Sequence, residues 1–212
     1  MYEGERFNSI THLVGLVFAL VGLGALLAVA APHGRLRVAV VCVYGLTLVL
    51  LYVSSTLYHS LRGAAKQVFH VFDHCTIYLL IAGTYTPLTL VTMRGVWGWW
   101  LFGLVWLLAA AGLVKDALFR GRYRVVSIVL YVVMGWSVVA AFGPLSRAMP
   151  SVGIAWLIAG GIFYTVGIVF YGLSKGVRYA HGIWHLFVIA GSACQYVPIL
   201  LFVAPAPMPS IV

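Results

Sequence analysis

The chain has 212 residues, 63% of them hydrophobic and 8% charged, with a formal net charge of +9. A soluble domain carries about 25% charged residues, so a water-soluble globule is excluded, and a β-barrel would need an alternation of polar and apolar residues that these runs lack. The basic residues sit in short links between apolar runs, where lipid headgroups and topology account for them better than nucleic acid does.

Seven apolar runs follow one another, each long enough to cross a hydrocarbon core of about 30 Å as a helix. The first covers about 8–31 and stops at Pro32-His33-Gly34. Ala28-Val29-Ala30 resembles a signal-peptide cleavage site. Glu3 and Glu5 beside the single Arg6, and an apolar stretch longer than the usual h-region, mark it instead as a retained span. The second run covers about 36–58 and a polar link, 59–67, follows. The third, about 68–91, contains Pro87, and the fourth covers about 96–118. Beyond Arg120-Gly121-Arg122 comes the fifth, about 125–145; Pro150 precedes the sixth, about 152–173. Lys175 and Arg178 lead into the seventh, about 179–203, and the tail prolines Pro205, Pro207 and Pro209 cannot continue a helix. The expected fold is an all-α membrane protein, a seven-transmembrane helix bundle forming a single domain over 1–212. Cys42, Cys75 and Cys194 lie within apolar runs without forming a close pair, so neither a disulfide framework nor a cysteine zinc site is expected.

Orientation follows from Lys and Arg. The side of the amino terminus collects Arg6, Arg62, Lys66, Lys115, Arg120, Arg122, Arg124, Lys175 and Arg178. The other side has Arg35, Arg37, Arg94 and Arg147. The amino terminus is therefore expected in the cytoplasm and the carboxyl terminus outside, with Trp97, Trp99 and Trp100 in the outer aromatic belt.

Polar residues gather at the cytoplasmic end. Glu5, Asn8 and His12 share one face of the first helix. Ser55 and His59 lie one turn apart at the end of the second, Asp73 and His74 near the start of the third, and His181 and His185 one turn apart at the start of the seventh. Of the acidic residues Glu3, Glu5, Asp73 and Asp116, only Asp73 is assigned to an apolar run. Ionisable groups in a bilayer cost several kcal/mol unless paired or ligated, so such a gathering marks a site. Two readings fit. His59, His181 and His185 can give three nitrogens to a zinc ion that keeps an open position. Asp73 is then either a fourth ligand or the base that takes a proton from an activated water, with Ser55 bonding that water or an oxyanion. Alternatively, the polar groups form a network that pins helix ends together. His12 and His74 fit the network better, and with Asn8 and Glu5 they are placed around the ligands.

The sequence resembles the hemolysin III family, the bacterial branch of the progestin and adipoQ receptor family that includes the adiponectin receptors. The resemblance spans the chain. It is carried by the stretch Glu5-Arg6-Phe7-Asn8-Ser9-Ile10-Thr11-His12, by Ser55-Thr56-Leu57-Tyr58-His59, by the run from Phe72 through Asp73 and His74 to Pro87, and by His181-Gly182-Ile183-Trp184-His185. It implies seven helices with a cytoplasmic amino terminus and a zinc held by three histidines, which map onto His59, His181 and His185. It also implies that Asp73 and Ser55 lie near the zinc-bound water. Members of the family are linked to hydrolysis of lipid amides such as ceramide, to ligand reception and to membrane lipid balance; the bacterial branch is named for haemolysis. The expected function is a zinc-dependent hydrolase of lipid amide or ester bonds. A lipid sensor with a structural zinc and a haemolytic membrane protein are the alternatives. Membrane lipids are the expected partners, nucleic acid is not, and assembly into a homo-oligomer stays open.

Overall fold

The structure is a computed structural model that describes residues 4–120, 122–174 and 176–205. Glu3, Gly121, Lys175 and the tail beyond Pro205, all used in the reading of the sequence, lie outside the described residues. Among the described residues there is no strand, and seven helical spans are long and apolar enough to cross a membrane. They are built from α1 (Arg6–Ala30), α2 (Arg35–Ser60), α3 (Gly63–Pro87), α4 (Gly95–Phe119), α5 (Arg124–Trp136), α6 (Phe142–Ala148), α7 (Ser151–Leu173) and α8 (Ala180–Pro198). The spans are apolar on every side, as helices surrounded by lipid must be. The protein is a seven-helix membrane bundle.

Three of the spans are irregular. α3 and α8 each end at a proline, Pro87 and Pro198, and continue as a wider π-helical turn, Leu88–Met93 and Ile199–Val203. A proline has no N–H to give the preceding turn, so the hydrogen-bond ladder shifts there. The fifth span is not one helix: α5 and α6 are joined by a tight 3-10 segment, Ser137–Ala141. The broken ladder is repaired from α3. Tyr85 Oη donates to the Gly135 carbonyl at 2.8 Å and accepts from the Val138 N–H at 3.0 Å. In lipid, freed backbone groups need such a partner.

Several boundaries and placements differ from the expectation. α2 runs through Ser60 and α3 begins at Gly63, so most of the expected polar link 59–67 is helix. Polar side chains at a span end resemble a loop in sequence, yet the backbone ladder carries on past the last apolar residue. Asp116 also departs from the reading that put only Asp73 inside a run. It is fully buried in α4, 2.6 Å from Lys115 Nζ, and both its oxygens accept from Ser127 Oγ of α5 at 3.3 Å. Arg37, counted among the link cations, is buried in the first turns of α2 with Nη1 donating to the His33 carbonyl.

α3 is the most enclosed span and the fifth the most exposed. α1 packs on α2, α2 on α3, α3 on α4 and α7 on α8, while α8 returns to α1. The last contact is close because of Gly182. A Cβ there would overlap the Phe7 ring and lie 2.9 Å from Asn8 Oδ1. Small residues let membrane helices approach in this way. Gly182→Val is therefore expected to destabilise the protein by about 1–3 kcal/mol through overpacking, seen as a lower thermal midpoint in detergent.

Candidate metal centre

The end of the bundle that carries the amino terminus brings together three imidazoles. His59 occupies the last turn of α2; His181 and His185 stand one turn apart at the start of α8. Tyr179, in the left-handed conformation at φ 65°, turns the chain sharply into α8, and its ring meets Phe7 edge-on. His59 and His185 are fully buried. His59 Nε2 and His181 Nε2 are 3.2 Å apart, and one ligand atom from each of the three rings lies within 4.8 Å of the others. Nitrogens around a tetrahedral zinc are about 3.3 Å apart, as Zn–N bonds of about 2.0–2.1 Å require.

The hydrogen bonds around these rings fit a metal. His185 Nδ1 is 3.1 Å from the Asn8 carbonyl and 3.2 Å from Thr11 Oγ1. Its N–H is thus directed at α1, which leaves a lone pair on Nε2. That Nε2 is buried and has no hydrogen-bond partner. An unpartnered buried acceptor aimed at two other imidazoles is what a metal ligand is before its metal is drawn in. His59 Nδ1 lies 2.6 Å from Glu5 Oε2, so its N–H donates to the carboxylate and Nε2 is again free to ligate. The Glu5 carboxylate behind His59 and the Asn8 carbonyl behind His185 fix the tautomer and orientation of these two rings. The three rings could hold a metal ion.

Glu5 is in turn bound by Lys66 Nζ at 2.6 Å and Asn8 Nδ2 at 2.8 Å. Partial burial alone would raise its pKa. The hydrogen bonds from His59, Lys66 and Asn8 outweigh burial and hold the carboxyl at about 2, so it is an anion at any ordinary pH. Glu5→Gln removes that charge behind His59. The metal affinity is expected to fall about 10- to 100-fold, measured by competition with a chelator of known affinity.

Asp73 is buried on α3 near His59 but is not one of the clustered donors; a role as fourth ligand finds no support in the geometry. Ser55 is buried one turn before His59. Its hydroxyl faces Asp73 but closes no hydrogen bond of normal geometry. His12 stacks face to face on His185, with ring centroids 3.6 Å apart, and neither of its nitrogens is bonded. Asn8 contributes twice, its carbonyl to His185 and its side chain to Glu5. His74 is not one of the clustered donors; its ring is 4.7 Å from that of His70, and it lines a cavity together with His181. His70 was not picked out in the sequence, although it stands one turn before His74. Thr11, at the third position after Asn8, was missed too.

Two cavities border the site, one beside His12 and Asp73 and the other beside His181 and Asp73. An apolar one of about 310 Å³ runs from His12 and Asp73 to Leu145 and Ile154, between α3, α5, α7 and α8. A polar vestibule of about 450 Å³ is lined by His70, His74 and His181 together with arginines from the start of α5. Asp73 and Tyr171 line both.

The sequence profile of the haemolysin-III related family matches residues 1–196. The chain belongs to that family. Hemolysin-3 of Bacillus cereus is 40% identical to it over 203 residues, covering 95% of this chain and 92% of the relative. The Hemolysin-3 homolog of Bacillus subtilis (strain 168) is 38% identical, with 96% of each chain covered. The human Monocyte to macrophage differentiation factor is 30% identical over 94% of this chain and 84% of its own length. All three alignments extend over nearly the whole of this haemolysin-III related chain.

Proposed function

We propose that the protein is a zinc-dependent hydrolase of lipid amide or ester bonds, placed in a bacterial plasma membrane with its amino-terminal end toward the cytoplasm. One observation carries this reading: three clustered imidazoles lie near Asp73, a buried carboxylate that lines one end of an apolar cavity. Three neutral nitrogens with an open position suit zinc. A zinc ion held by His59, His181 and His185 would polarise a carbonyl and lower the pKa of water toward neutrality.

The rest falls to the chain. The apolar cavity takes the hydrocarbon tail and excludes water from it. Asp73, at the head of that cavity, accepts the proton of the attacking water and returns it to the leaving nitrogen or oxygen as the C–N or C–O bond breaks. Ser55, facing Asp73 with an uncommitted hydroxyl, orients the water or donates to the carbonyl oxygen. A second reading has its own support. The ligands join α2 to α8, and Glu5 and Asn8 add α1, so an ion there would also tie three spans together.

The test is fatty-acid release by the purified, zinc-loaded protein from a panel of N-acyl and ester lipids. The expected result is release that a chelator stops and zinc restores. No release from any member of the panel would leave only the structural reading.

A further inference from the structure

We propose that the vestibule is an anion site, and that it selects amphiphiles whose polar end carries a phosphate or a carboxylate. The place of the bond to be cut is taken from the hydrolase reading; binding itself does not depend on it. The two cavities share Asp73 and Tyr171, so an amphiphile with its tail in the apolar cavity passes Asp73 and ends in the vestibule.

The vestibule wall is built to receive negative charge. Arg124 and Arg122 line it, and among the described residues Asp73 is the one carboxylate in its lining. The other acids nearby are committed, Asp116 to Lys115 and Ser127 and Glu5 to His59, Lys66 and Asn8. His70 and His74 add ring nitrogens to the same wall. Arg124 is not a loose link cation. Its guanidinium lies 3.5 Å from the centroid of the Tyr171 ring, and Nη2 donates to the Tyr171 carbonyl at 2.6 Å. Tyr171 thus fixes the plane of the guanidinium at the lip where the cavities meet. A guanidinium carries five N–H donors, of which this carbonyl takes one. The remaining edge suits the two oxygens of a phosphate or carboxylate. Topology alone asks only for positive charge in a link; it does not ask for an arginine stacked on the rim of a cavity.

The experiment measures Kd for dodecyl probes on the full-length protein in maltoside micelles, whose heads carry no charge. Dodecyl phosphate and laurate are expected to bind at least about tenfold more tightly than dodecanol or dodecyltrimethylammonium, as one charge-assisted contact provides. Arg124→Gln removes that preference and Arg124→Lys keeps part of it. Because Arg124→Gln also removes the bond to Tyr171, Arg122→Gln serves as a second variant that leaves the Arg124–Tyr171 contact intact, with a few-fold loss expected. Equal binding of dodecanol, or an unchanged preference in both glutamine variants, overturns the proposal. So does inorganic phosphate binding as tightly as dodecyl phosphate, which would make the vestibule a site for free anions. An anion preference without hydrolysis would count against the hydrolase reading alone, and hydrolysis without an anion preference against this proposal alone.

Discussion

Asp73→Asn is expected to keep its zinc and lose about 10²- to 10⁴-fold in the rate of lipid hydrolysis, the usual contribution of a positioned general base. The side chain keeps its size, so the boundary between the two cavities is preserved, and no metal ligand is touched. What is lost is the ability to hold a proton between the attacking water and the leaving group. Zinc per chain and rate must be measured on the same preparation. Full occupancy with the rate lost supports catalysis; full occupancy with the rate unchanged removes Asp73 from the reaction. The variant also separates the two roles of the ion. A staple would be indifferent to Asp73, whereas a hydrolase would not.

His185→Ala is expected to empty the site and lower stability together. The ring is fully buried and bonds the Asn8 carbonyl of α1, while its Nε2 faces the other two imidazoles. Without it two nitrogens remain, and α1 loses a bond to α8. An ion present at a thousand times its Kd stabilises a fold by about 4 kcal/mol. A chelator should therefore lower the thermal midpoint of the wild type toward that of His185→Ala, which stays lower because it also lacks the buried ring and its bond to Asn8, and should have no further effect on the variant. His12→Ala is the contrast. His12 stacks on His185 but offers no clustered donor, so zinc should be retained. Loss of zinc from His12→Ala with retention in His185→Ala would reverse the assignment.

The seven spans were legible because a run of about 20 apolar residues has few other uses. The ends of the spans were not, since a helix at the membrane surface keeps its ladder while its side chains turn polar. His59 shows this: read as the first residue of a link, it is held in the last turn of α2. The break at Ser137–Ala141 did have a signal in the fifth span, Pro144, whose missing N–H cannot bond the Ala140 carbonyl and which was passed over; what the sequence could not show is that Tyr85 on α3 satisfies the freed groups. Asp116 was not assigned to an apolar run, and its burial shows only once α4 is packed against Ser127 of α5.

The gathering of His59, His181 and His185 could be expected from spacing and topology, which put all three at one end of the bundle. Their preparation as ligands could not. It depends on a backbone carbonyl, that of Asn8, and on Glu5 reaching across 54 positions of sequence to His59. Arg124 was similarly hidden, one cation among several until Tyr171 was seen beneath it.

Zinc K-edge absorption on the purified wild-type protein tests the central claim most directly. The account predicts one zinc per chain, with three imidazole nitrogens at about 2.0–2.1 Å and one oxygen in its coordination shell. A protein that binds no metal after zinc loading, or a coordination shell that contains sulfur, would contradict it.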